Sequence, residues 1–196
     1  MSDNLVVVYD TETLGLKIGV HEVVDLGAVL LKGEVPNQTI IDTYQVYIKP
    51  DHPENATVEA LAVNKLSLEE LAVKGSSKLV AYQNFVNWIN YHSNDMSDTV
   101  ETVCCNKVFD VPRVEMEIED LGLKLPWNFR LRWDVKDMAR VFAPGVNNSL
   151  FMLCKHFKVP YFKAHSALDD AKMTAEVWLK MEKLRYNFFV KSLKSE

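Results

Sequence analysis

Two carboxylates, Asp10 and Glu12, follow the apolar run Leu5-Val6-Val7-Val8-Tyr9. Residues i and i+2 of an extended chain point to the same side, so the two acids face one way. The run is rich in β-branched residues and lacks polar alternation, the pattern of a strand buried on both faces. Side chains at the end of such a strand open into the crevice where ligands bind in α/β sheets. Like charges placed there repel each other, and a hard divalent cation with oxygen ligands compensates them. A lone D-x-E also describes a strand end with one solvated acid, so the pair needs corroboration.

Two further segments supply it. Cys104-Cys105-Asn106-Lys107-Val108-Phe109-Asp110 carries an apolar strand into an Asn and, four residues on, an acid near a helix start. Alone, Asp110 reads as a helix N-terminal acid. His165-Ser166-Ala167-Leu168-Asp169-Asp170-Ala171 opens another helix. Ser166 is its expected N-cap and Asp169 the capping-box partner. Asp170 has no such task, yet it shares a stripe with Ala167, Ala171, Thr174, Trp178 and Met181. A carboxylate on a core-facing stripe is costly unless paired or bound to metal. His165 stands just outside the helix, within reach of the same place. His21, His52, His92 and His156 lie among polar or turn residues and read as surface groups.

The elements that would position these residues follow from periodicity. After the first strand come strands at Val23–Leu31 and Thr39–Ile48, separated by turn chemistry at Gly33–Asn37. The three make a meander. Helical pieces are expected at Thr57–Asn64 and Ser67–Ala72, the second with a Ser67/Glu70 capping box. Lys78–Tyr91 is amphipathic through Leu79, Tyr82, Val86 and Ile89. A strand at Thr99–Cys105 precedes a helix at Val111–Glu119 with Pro112 in its first turn. A short strand at Arg130–Asp134 leads to helices at Val135–Phe142, Ser149–Phe157 and Ser166–Leu184, the last reaching as far as Phe189 at its longest. Strands first, then strands alternating with helices, give a mixed α/β sheet with helices on both faces.

Composition agrees with a single globular domain over residues 1–196: 48% of the residues are apolar and 25% charged. The chain holds one sizeable core and is short for two. Its N-terminus lacks the basic and apolar regions of a signal peptide, and no stretch is apolar and long enough to span a membrane. Three cysteines, Cys104, Cys105 and Cys154, without a CxxC spacing, exclude the usual zinc arrangements and fit a reducing, cytoplasmic setting. A net charge of −5 argues against a long electrostatic footprint on duplex nucleic acid, but acidic metal ligands themselves lower the charge, so compact contact with a strand end stays open.

Taken together, the three motifs resemble the DEDD exonuclease superfamily in its histidine-containing branch, DEDDh. Asp10-Thr11-Glu12-Thr13-Leu14-Gly15 is similar to that family's first motif, Asn106 with Phe109-Asp110 to its second, and His165 to Asp170 to its third. Val24–Val29, Val63–Ser67, Asp134–Arg140 and Ser149–Cys154 are similar to its supporting segments, so the likeness covers nearly the whole chain in order. Cys105 stands where a His often precedes the Asn, and Lys107 is unusual beside it, departures that bear on the substrate pocket and not on the four acids.

The resemblance implies an RNase H-like mixed five-stranded sheet and a 3′→5′ exonuclease. Asp10, Glu12, Asp110 and Asp170 would hold two Mg²⁺ or Mn²⁺ ions, as two-metal sites do, with Asp10 bridging, Glu12 and Asp170 completing the tighter site and Asp110 serving the second. His165 would take the proton of the attacking water, and 5′-mononucleotides would leave. Thr13, Leu14 and Gly15 would hold the terminal nucleotide through backbone groups and an apolar wedge, although ordinary core packing also accounts for Leu14. Asn106 would position the strand near Asp110 or make a structural loop bond, and Phe109 reads as core. Arg130 and Arg132 are phosphate contacts or a solvated pair.

The first motif, with Thr after Glu12, is closer to the proofreading branch, hence single-stranded DNA ends. An oligoribonuclease or RNase T-like exoribonuclease is the alternative, and a non-catalytic nucleic-acid-binding module is a further one. The run Leu184–Leu193, with Phe188 and Phe189, would dock a polymerase or a second copy, or cover its own core.

Overall fold

The computed structural model describes residues 5–93, 100–124, 132–162 and 166–193. Strand β1 (Leu5–Thr13) lies at the centre of a five-stranded sheet of order β3-β2-β1-β4-β5. β2 (Val23–Lys32) and β3 (Thr39–Tyr47) complete the expected antiparallel meander, with Val8 opposite Val29. β4 (Val100–Cys104) and β5 (Arg132–Asp134) add in parallel on the other side.

The central position explains why β1 is apolar without alternation. Leu5, Val7 and Tyr9 enter one core with Tyr82, Phe85, Val114 and Ile118. Val6 and Val8 enter the other with Leu153, Trp178 and Met181. The first core belongs to α3 (Lys78–His92) and α4 (Lys107–Asp120), the second to α5 (Val135–Phe142), α6 (Leu150–Phe157) and α7 (Ala167–Leu193). Burying one such side chain contributes about 1.5–3 kcal/mol, so each face of β1 is a substantial anchor. Two short helices, α1 (Val58–Asn64) and α2 (Leu68–Lys74), close the end where the first motif emerges. Thr57 and Ser67 cap them, their hydroxyls accepting from the Ala60 and Glu70 N–H groups at 3.2 and 3.1 Å.

Three expectations change. Helix α4 begins at Lys107, four residues before the expected Val111, because the Asn106 carbonyl accepts from both Phe109 and Asp110 N–H. Pro112 therefore sits inside the helix and not in its first turn. Its missing N–H leaves the Val108 carbonyl without its intrahelical donor, at a residue that is exposed. The start of α7 is capped differently from the expected Ser166/Asp169 box: Ser166 Oγ accepts from Gln45 Nε2, and Asp169 lies 3.9 Å from Lys172 Nζ. Helix α7 also runs to Leu193, beyond the expected end, through a segment without Gly or Pro. Phe188 and Phe189 on it are 69% and 55% exposed, so they do not cover the core. With Met138, Val141 and Phe142 of α5 they line a groove of about 870 Å³. No helix of the described residues is long and apolar enough to cross a membrane.

Candidate active site

The period of two along β1 divides the first motif between the two sides of the sheet. Even-numbered residues face α7, and there Asp10, Glu12 and Asp170 each present an oxygen within 4.8 Å of the others. The stripe that carries Asp170 is core as expected: Ala167, Ala171, Thr174, Trp178 and Met181 are all buried. Odd-numbered residues face α4, and there Thr11 donates to Asp110 Oδ1 from both its N–H (3.2 Å) and its hydroxyl (2.7 Å). Asp110 thus lies outside the three-acid cluster but beside it.

Without a cation the cluster is electrostatically unfavourable. Burial, followed by the charges of Asp110, Asp170, Glu12 and Asp25, raises Asp10 well above the ordinary carboxylate range. Burial and the charges of Asp170, Asp25 and Asp110 push Glu12 up to about 8. Asp110 rises to about 7, mainly through burial, although the Thr11 bonds and the Arg113 charge pull it down. Three oxygen donors converging from two elements suit a hard divalent cation.

A groove of about 630 Å³ begins at Glu12 and is lined by Thr13, Gly15, Leu16, Ala60, Val63, Asn64 and Phe109 among others. Thr13 is buried, its hydroxyl donating to Gly15 O at 2.7 Å and its carbonyl accepting from Asn64 Nδ2 at 2.8 Å. Leu14 turns inward against Val24 and Leu71, and its backbone is occupied by Glu22 O and Thr57 N. Leu16, 81% exposed, and Val63, 55% exposed, present apolar side chains at the groove. Gly15 is required by His21, since a β-carbon there would lie 2.6 Å from the ring. His21 is accordingly part of this wall, its Nδ1 accepting from Lys17 N at 2.8 Å, and not a plain surface group. His92 also has a defined place, 2.8 Å from Asp42. Asn106 is the N-cap of α4. Phe109 is a wall of the groove instead of core, and Arg132 is paired with Glu115 at 2.7 Å. His165 and Arg130 lie outside the described residues.

Three residues at this site were not singled out by the sequence, although Asp25 and Asn64 fall in segments that resemble the family's. Asn64 pins Thr13. Arg113 is buried, lies 3.6 Å above the Phe109 ring, and donates to Phe109 O and to Leu16 O. It ties the Leu16 loop to the aromatic wall across 97 residues of chain. An Arg113→Ala variant is expected to raise KM for an oligonucleotide more than it lowers kcat, and to cost about 2 kcal/mol in a thermal melt, the scale of a lost charged hydrogen bond. An unchanged KM would show that the tie does not shape the groove.

Residues 7–178 match the RNase T family model, described as Exonuclease. DNA polymerase III subunit epsilon of Haemophilus influenzae is 32% identical over 197 residues, covering 96% of this chain and 72% of that protein. A PolC-type DNA polymerase III from Caldanaerobacter subterraneus is 29% identical over 181 residues, 91% of this chain but 12% of that protein. Among solved structures, the nuclease domain of 3'hExo, a DEDDh family member bound to rAMP, superimposes with a TM-score of 0.73 at 16% identity, covering 91% of this chain and 92% of that one. Escherichia coli exonuclease I in complex with a dT13 oligonucleotide gives a TM-score of 0.75 at 18% identity, covering 95% and 43%. At those identities the two structures show the shared fold. The chain belongs to the DEDDh 3′→5′ exonuclease family, nucleic-acid-binding hydrolases built on the RNase H-like fold.

Proposed function

We propose that the protein hydrolyses the terminal phosphodiester at the 3′ end of single-stranded DNA, releasing 5′-mononucleotides, with two divalent cations and His165 as general base. The observation that carries this reading is that Glu12 belongs both to the three-acid cluster and to the Leu16–Phe109 groove. A held 3′ nucleotide therefore lies next to the acids. The groove volume is that of a small-ligand site. Stacking of an unpaired base on an aromatic wall is worth about 1–3 kcal/mol and needs no particular sequence. The net charge of −5 also favours a strand end over a long duplex. Relatives named as subunits or forms of DNA polymerase III support DNA as the substrate and a polymerase as the partner.

Asp10, Glu12 and Asp170 would hold Mg²⁺ or Mn²⁺, with Asp110 beside Asp10 serving a second ion. When bound, such ions polarise the phosphoryl oxygens and stabilise the attacking and leaving oxygens. The protein's own groups do the rest. Thr11 fixes Asp110 Oδ1. Leu16 and Phe109 hold the base between them. His165, five residues before Asp170, accepts the proton of the attacking water, a task matched by an imidazole pKa near 6.5.

Incubation with matched DNA and RNA oligomers and Mg²⁺ tests the reading. Stepwise loss from the 3′ end, abolished by EDTA and faster on single-stranded DNA, is the expected result. Faster digestion of RNA would overturn the DNA assignment, and no EDTA-sensitive release from either would overturn the activity. The rate should fall about tenfold per pH unit below roughly 6.5 as an imidazole base protonates; a flat rate down to pH 5 would remove His165 from that role.

A further inference from the structure

Cross-strand register sets two rows of side chains on the α7 side of the sheet. One row reads Asp10, Gly27, Gln45 across β1, β2 and β3, and the next reads Glu12, Asp25, Tyr47. The metal-binding acids of β1 are thus followed, one strand over, by a glycine and a third acid. The start of α7 settles into the gap left by the glycine: a β-carbon at Gly27 would overlap Leu168 N and Ala167 C. Beside that gap, the buried Asp25 accepts from the Ala167 N–H, the first of the helix, at 3.1 Å. Gln45 Nε2 reaches over Gly27 to both Asp25 oxygens, at 3.1 and 3.2 Å, and to Ser166 Oγ at 3.2 Å.

We propose that Asp25, oriented by Gln45, is a positioning residue that clamps the first turn of α7 onto Gly27 and so sets the place of Asp170 relative to Asp10 and Glu12. The inference rests on the metal-dependent reading above. Its physical basis is direct. The first N–H groups of a helix have no partner within it, and a carboxylate there satisfies one and complements the positive end of the helix dipole. Asp170 lies one turn further on, its N–H bonded to Ser166 O at 3.0 Å, so a shift of Ala167 is carried to it. Asp25 also contributes one of the repelling charges that act on Glu12. A residue that only added charge would oppose the cluster, and the helix clamp is the compensating gain. The local sequence gave no sign of it, because Asp25 and Ala167 are separated by 142 residues.

The clamp is tested by titrating Mn²⁺ into metal-free protein, following binding by calorimetry and electron paramagnetic resonance alongside DNA digestion and thermal melting. Asp25→Ala is expected to weaken Mn²⁺ binding 10- to 100-fold, roughly the range for loss of a group that orients metal ligands. Asp25→Asn keeps one accepting oxygen for Ala167 but turns an amide toward Gln45 or away from it, and should fall between Asp25→Ala and the wild type. Gln45→Ala, at an exposed position, should weaken binding least and keep the fold, so it serves if Asp25→Ala does not fold. KM for the oligonucleotide should change little while kcat and the Mn²⁺ dependence of the rate change together. Lowered melting temperatures with wild-type Mn²⁺ affinity in Asp25→Asn and Gln45→Ala would make the contact purely structural and overturn the clamp, leaving the exonuclease reading intact. A wild-type protein that neither binds Mn²⁺ nor digests DNA would overturn both.

Discussion

Asp10→Asn is expected to reduce Mg²⁺-dependent nucleotide release by on the order of 10³-fold while raising the melting temperature of the metal-free protein. The two effects have one origin. Asp10 is the acid on which the most neighbours converge: Asp110, Asp170, Glu12 and Asp25 all act on it, and burial acts more strongly still. In the absence of a cation its ionised form is opposed by every one of these, so a neutral residue of the same shape relieves strain. With a cation present the same convergence would bind it, and an amide replaces a negative oxygen with a neutral one. A loss of about 4 kcal/mol of charge stabilisation in the transition state corresponds to about 10³ in rate. Asp169→Asn provides the comparison, since Asp169 lies outside the cluster, near Lys172; its rate should stay within about twofold of wild type, as surface changes away from special features have small effects. Activity in Asp10→Asn above a tenth of wild type would remove Asp10 from the ligand set. A lowered apo melting temperature would show that the cluster is not repulsive.

Much of this site was legible because its parts obey local periods. The unbroken apolar run of β1 marked a central strand, and alternation placed Asp10 and Glu12 on one side, the side α7 occupies. The 3.6-residue stripe of α7 placed Asp170 toward the same side. Alternation stopped being a guide where the strand ended, at Thr13. Leu14 packs into a third small cluster with Val24 and Leu71, and Leu16 becomes an exposed apolar group of the groove. The first turn of α7 was read as a local capping box, yet its partners come from β2 and β3. Arg113, within the expected helix Val111–Glu119, is tied to a loop 97 positions away. What escaped the sequence was in each case a contact between distant segments, set by strand register and helix placement and not by any pattern within a window of the chain.

The metal-free protein should lose stability as pH rises from about 5.5 to 8, and Mn²⁺ should restore most of the loss. The sign follows from where protons sit. Burial and neighbouring acids push Glu12 from the usual 4.5 to about 8, Asp110 to about 7 and Asp25 to about 6. In this window these groups hold protons in the folded protein that the unfolded chain has released. Stability then falls with pH, because the folded state binds more protons than the unfolded one, and Asp10, raised well above the ordinary carboxylate range by burial and its neighbours, adds to the fall. Glu22 and Asp42 are shifted the opposite way, below the ordinary carboxylate range, so their contribution is complete at pH 5.5 and constant across the window. One pKa unit is worth about 1.4 kcal/mol; discounted for coupling among neighbours, the combined loss is on the order of 3 kcal/mol, or roughly 6–12 °C in melting temperature for a chain of this size. A cation that binds only the folded state returns about 2.7 kcal/mol at a hundred times its dissociation constant, and it competes with the protons, so its stabilising effect should be larger at pH 8 than at pH 5.5. Melting curves in EDTA and in Mn²⁺ at both pH values measure this directly. Equal melting temperatures in EDTA at pH 5.5 and 8, or a Mn²⁺ shift that is larger at the acidic end, would mean that the acids of β1, α4 and α7 do not share one charged cavity.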